Sequence, residues 1–71
     1  MEKISINTPQ INLDQLLKWA GIVESGGQVK LMIDEGLIQL NNVLVTERRK
    51  KVHPGDVVNI EGLGIWQVTT G

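Results

Sequence analysis

The chain has no cysteine, no phenylalanine and no tyrosine, and one histidine in 71 residues. Without cysteine there is neither a disulfide nor a thiolate metal ligand, which fits a reducing compartment. His53 stands alone and cannot build a zinc site; beside Pro54-Gly55 it reads as a turn residue. Nucleophilic chemistry is also missing, because no serine lies in a nucleophile-like setting. The glycines are not followed by G-K-[ST], so they form no P-loop. Asp34 and Glu35 are neighbours that diverge on a helix instead of facing each other as an acid–base pair. These absences point away from an enzyme and away from any metal or cofactor. No apolar run approaches a membrane span, and the opening Met1-Glu2-Lys3-Ile4-Ser5 is no signal peptide. The expectation is a cytoplasmic, soluble chain of one domain, residues 1–71, with a small core and no membrane partner. Trp19 and Trp66 are the only Phe, Trp or Tyr residues; either ring could stack a base, but two isolated tryptophans do not make a stacking platform. Trp19 flanks the apolar stripe of a helix, which predicts core packing.

Net charge is −1, but it is unevenly spread. Residues 1–17 carry Glu2, Lys3 and Asp14, or −1. Residues 18–51 carry six cations against Glu24, Asp34, Glu35 and Glu47, or +2, and residues 52–71 carry Asp56 and Glu61, or −2. An anionic ligand should therefore meet one basic face.

The apolar periods give the elements. Lys3 to Ile6 alternates like an edge strand, broken by Thr8-Pro9. Leu13, Leu16, Leu17 and Ala20 mark i, i+3, i+4 and i+7 of a helix. Asn12 is its expected N-cap, with Gln15 as reciprocal partner, and Gly21 its stop. Ile22 and Val23 should be buried where this helix meets the next. Ser25 and Gln28 form an S-x-x-Q capping box for a second helix over Gly26 to Glu35, whose stripe is Val29, Met32 and Ile33. Gly36 ends it. Leu37–Leu40 and Val43–Val45 read as a hairpin across Asn41-Asn42, residues that tolerate positive φ. After His53-Pro54-Gly55-Asp56, further strands are expected at Val57–Ile60 and Ile65–Thr69. The order β-α-α-β-β-β-β predicts an α+β domain with helices on one side of a small sheet.

Two glycines weaken the start of the second helix by about 1 kcal/mol each relative to alanine. Either they admit a backbone or a phosphate close to the Ser25-Gly26-Gly27 amides, or small residues are tolerated beneath the preceding loop.

In order and spacing the residues from Leu13 to Val58 resemble a known pattern. Leu13-Asp14-Gln15-Leu16-Leu17-Lys18 is followed by Ser25-Gly26-Gly27-Gln28-Val29-Lys30. Then come Ile33-Asp34-Glu35-Gly36-Leu37-Ile38-Gln39-Leu40-Asn41 and Gly55-Asp56-Val57-Val58. This is similar to the S-four-type αL RNA-binding motif, and the Ser-Gly-Gly form with a basic run is most similar to the small stand-alone YaaA/YbcJ-type subgroup. The resemblance implies two packed helices against a small, mostly antiparallel sheet, with a core motif over residues 13–58. It also implies a structured RNA partner, ribosomal or transfer RNA, in ribosome assembly or translation. Family members often carry arginine after the capping serine, where this chain has Gly26. That shifts the expected RNA-binding set to Lys18, Ser25, Gly26, Gly27, Lys30, Arg48, Arg49, Lys50 and Lys51.

The run Arg48 to Lys51 is the sharpest chemical signal. Guanidinium groups bind phosphate oxygens bidentately, and lysines act as mobile point charges. Four cations on one strand would alternate faces, so a loop is expected to present them together. Read without the flanking pattern, the run is a solvated stretch that blunts a sheet edge. Lys18 and Lys30, off the apolar faces of their helices, extend the patch if the helices pack side by side, although Asp34 and Glu35 would partly neutralise Lys30. Two rival readings remain open. A protein-interaction adaptor would bring the cluster to an acidic protein surface. A β-grasp sulfur carrier shares the hairpin and the Gly-Asp-Val-Val turn, but the chain ends Thr69-Thr70-Gly71 and has little room for a hairpin before its first helix.

Overall fold

In the computed structural model, which describes residues 1–71, Ile4 and Ile6 turn one face of β1 (Glu2–Ile6) inward, as their alternation predicts. Two strands and the helices follow in the expected places: α1 (Leu13–Trp19), α2 (Gly26–Asp34), β3 (Ile38–Leu40) and β4 (Val43–Leu44). The chain closes with β6 (Val57–Ile60) and β7 (Gly64–Thr70). Between them lies a pair that sequence reading did not anticipate, β2 (Ile11–Asn12) with β5 (Lys51–Val52). Each has two residues, too few to show a period.

The main sheet has the order β1-β7-β6-β3-β4. All its pairings are antiparallel except β1 with β7, which run parallel from Glu2↔Trp66 to Ile6↔Thr70. Ile4, Ile6, Ile38, Leu40, Val58, Ile60 and Val68 alternate inward from these strands. Leu13, Leu16 and Leu17 of α1 and Val29 and Met32 of α2 meet them, and Val23, Val45 and Val52 complete a single core of 15 buried residues. Each fully buried aliphatic side chain contributes roughly 1.5–3 kcal/mol. No buried side-chain polar atom lacks a partner.

Both helices end in Schellman closures. In α1 the Ile22 N–H donates to the Leu17 carbonyl and Gly21 to Lys18; in α2 Leu37 donates to Met32 and Gly36 to Ile33. Gly21 and Gly36 take φ of 74° and 71°, the left-handed conformation such closures require. Asn41 and Asn42 (φ 51° and 68°) make the tight turn that a twisted β3–β4 hairpin needs.

Several local expectations are corrected. Asn12 stands at the N-cap position with extended backbone, but its side chain caps nothing; its Oδ1 accepts from Lys51 Nζ at 3.1 Å. Instead, the first amides of α1 are satisfied by main-chain carbonyls, Leu13 N–H by Lys50 and Asp14 N–H by Arg48. The Ser25 cap holds, with Gln28 N–H donating to Oγ at 3.4 Å, while the Gln28 side chain reaches back to the Glu24 amide at 3.1 Å. Val45 lies beyond β4 but is buried, its N–H bonded to Ile38. Trp19 is not in the core: it is 67% exposed, and its indole N–H donates to the Ser5 carbonyl of β1 at 3.2 Å. There it satisfies a main-chain acceptor of an edge strand.

Candidate nucleic-acid interface

The basic run occupies a β-turn closed by Lys50 N–H donating to the Glu47 carbonyl at 3.2 Å, with Arg48 and Arg49 at its two central positions. Because Arg48 and Lys50 spend their carbonyls on the start of α1, the loop backbone is fixed inward and its side chains are left outside. All four cations are exposed. Their side chains meet different parts of the fold. Arg48 reaches over the start of α2, Lys50 lines a groove beside β4 with Leu44 and Glu47, and Lys51 is held by Asn12 on the β2–β5 pair.

The contact of Arg48 with α2 is the informative one. A Cβ placed on Gly26 would stand 3.8 Å from Arg48 Nη1, and one on Gly27 would meet only Ser25 Oγ at 3.9 Å. Both are ordinary contact distances, so no packed backbone requires these glycines. The one atom a Cβ on Gly26 would meet belongs to Arg48 of the basic loop. What the two glycines leave is open space above a helix start whose Gly26 and Gly27 amides have no acceptor. Lys30 lies one turn further along α2 on the face of Gly26 and is exposed. Arg48, the Ser25-Gly26-Gly27 amides and Lys30 thus border one surface. Lys18 is apart from it, in a groove with Thr8, Gln10, Ile11, Gln15 and Trp19.

Electrostatically the surface is unspent. The sole close approach of a basic to an acidic side chain is His53 Nδ1 to Asp56 Oδ2 at 3.7 Å. No lysine or arginine has a carboxylate within 4.0 Å, so Lys30 is in no salt bridge with Asp34 or Glu35. An isolated guanidinium near free helix-start amides is a site for an anion with several oxygens, because the dipole and the fork-shaped donors favour the same charge. No group of histidines, aspartates or glutamates suited to a metal ion is present. No helix is long and apolar enough to cross a membrane.

The Gly55-Asp56-Val57-Val58 segment has a structural part in this arrangement that sequence reading did not assign. Asp56 accepts from the His53 amide at 2.8 Å and from Asn41 Nδ2 at 3.1 Å, while Asn41 Oδ1 accepts from the Val57 amide at 2.9 Å. Asn41 and Asp56 thereby latch the β3–β4 turn to the turn that follows β5. The signal was the pairing of an asparagine after β3 with Gly-Asp before β6.

Comparison with known proteins agrees with this architecture. The chain is 43% identical over 65 residues to the Bacillus subtilis protein RlbA, covering 92% of each; its name gives that protein, provisionally, as a ribosome maturation protein. It is 37% identical over 54 residues to Escherichia coli YbcJ, named provisionally as RNA-binding, covering 76% of this chain and 77% of that one. The S4 domain is an α+β RNA-binding fold. Its family model matches residues 4–67, from the first core isoleucine of β1 to the middle of β7, and the chain belongs to the S4 domain family.

Proposed function

We propose that this chain is a non-catalytic RNA-binding module that grips the backbone of structured RNA, ribosomal or transfer RNA, during ribosome maturation. The observation that carries the reading is the unpaired Arg48 guanidinium poised over the open, glycine-bearing start of α2. In this reading a phosphate is held by Arg48 and the Gly26 and Gly27 amides, with Lys30 on the next phosphate and Arg49, Lys50 and Lys51 extending the contact on either side. The ribosomal assignment leans on the name of the Bacillus subtilis relative. RNA helices offer a shallow minor groove, 2′-hydroxyls and regular phosphate spacing, so recognition by shape with little base specificity is the expected mode.

The test is a titration into labelled ribosomal RNA fragments and a DNA duplex of equal length at two salt concentrations. Tighter binding to RNA, weakening with salt, is expected. In Arg48→Ala/Arg49→Ala the slope of log K against log salt should fall by about one for each lost phosphate contact. No RNA binding at low salt would refute the proposal, and an acidic protein surface would become the partner to seek.

A further inference from the structure

We propose that Trp19 and the groove beside it form a second subsite, which takes an unpaired base of the RNA that the Arg48–α2 surface holds by its backbone. The subsite rests on the RNA reading above. Three observations lead to it. First, Trp19 is 67% exposed in a chain with no other surface-lying aromatic ring, since Trp66 is half-buried and packed against the core. Second, the ring is not loose: its Nε1 donates to the Ser5 carbonyl at 3.2 Å. The polar edge is thereby used up and the orientation set, so the remaining ring surface is presented with much of its ordering cost already met. Third, the shallow, open groove beside it is lined by Thr8, Gln10, Ile11, Gln15, Lys18 and Trp19. Its one charged residue is Lys18, whereas the groove that Trp19 shares with β1 sets Glu2 beside Lys3. A polyanion is therefore admitted on the Lys18 side.

The chemistry matches one occupant. A flat base stacks on the indole whatever its identity, Gln10 and Gln15 offer amide donors and acceptors to its edge, and Lys18 stands where the flanking phosphate emerges. Gln15, Lys18 and Trp19 share a face of α1 at i, i+3 and i+4. At its other end the groove reaches Ile11, paired with Val52, next to Asn12 paired with Lys51. Thus the subsite borders the β2–β5 pair, which carries Lys51 of the basic run.

The experiment compares an RNA hairpin with an unpaired loop and a fully paired RNA of equal length. Trp66→Phe leaves Trp19 as the only fluorophore, and the hairpin, not the duplex, should quench it. If that variant does not fold, the difference between wild type and Trp19→Phe gives the same signal. In the wild-type background Trp19→Ala should lose about 5- to 150-fold in affinity for the hairpin and none for the duplex. Trp19→Phe keeps a stacking ring but loses the bond to Ser5, and should retain most of the hairpin affinity. Equal losses in the two variants would mean that Trp19 serves only the β1 edge, and equal losses on hairpin and duplex would mean a general structural effect; either overturns the subsite. Hairpin binding that keeps its dependence on Arg48 but ignores Trp19 defeats this inference and leaves the phosphate grip standing. Binding of neither RNA defeats both.

Discussion

Removing the Asn41 side chain should cost far more than an exposed turn residue ordinarily does. Asn41→Ala deletes the bonds to the Val57 amide (2.9 Å) and to Asp56 (3.1 Å), and forces alanine to hold φ of 51°. A hydrogen bond is worth about 1 kcal/mol, more when one partner is charged, and exchanging asparagine, which tolerates left-handed backbone, for alanine adds up to about 1 kcal/mol. Allowing for solvent at this exposed turn, the expected loss is about 2–4 kcal/mol. A domain of this size has roughly 4–10 kcal/mol in total, so the variant should be visibly marginal. The assay is urea unfolding followed by circular dichroism, with a thermal melt in which each kcal/mol lowers Tm by roughly 4–8 °C. Asn41→Gly separates the two causes: it keeps the bond losses but relieves the backbone, and should recover about 1 kcal/mol of the loss. A double-mutant cycle of Asn41→Gly with Asp56→Ala should show coupling of about 1 kcal/mol from the bond they share. Asn41→Ala within about 0.5 kcal/mol of wild type, which is the ordinary range for surface changes, would refute the latch. A glycine variant no more stable than the alanine one would instead assign the whole loss to the missing bonds.

Other perturbations test the core and the helix ends. Leu16→Ala, at a fully buried position, should cost about 2–5 kcal/mol and leave a partly unfolded population at room temperature, seen in the same urea titration. Gly36→Ala meets no atom within 4 Å, so its expected loss of about 1 kcal/mol is backbone strain alone and should appear as a lower Tm. Gly26→Ala, where φ is not positive and the nearest atom is 3.8 Å away, should leave Tm unchanged or raise it, while RNA titration should show weaker binding because a methyl group stands between Arg48 and the helix-start amides.

Much of this was legible because the apolar periods carry it. The leucines of α1 and the Val29-Met32 stripe of α2 are buried as their spacing predicts, and Asn41-Asn42 makes its turn for the stated conformational reason. Trp19 was misjudged because a stripe has edges: a residue beside Leu16 on the helical wheel goes inward or outward depending on what packs there, and here a strand carbonyl claims its N–H. The cap of α1 was misread for a related reason. Asn12 has the right side chain, but the carbonyls of Arg48 and Lys50 arrive from far along the chain and take the amides first. No local pattern reports a partner more than thirty residues away. The same limit hid the β2–β5 pair. The Ser-Gly-Gly start was legible as a peculiarity. That no backbone packs over it became visible only from the neighbouring atoms.

The parallel seam between β1 and β7 has a consequence for how the chain folds. Ile4 meets Val68, so the pairing closes nearly the whole chain into one loop. Contacts so distant in sequence are entropically expensive until other structure has brought the partners near. β1 pairs in the main sheet with β7 alone, so it cannot take its place until β7 is present. Until then Ile4 and Ile6 have no core to enter, and the inner face of α1 stays uncovered on that side. Folding of the complete sheet is therefore an event that follows synthesis of β7, and amide exchange in β1 should report it as the last protection to appear.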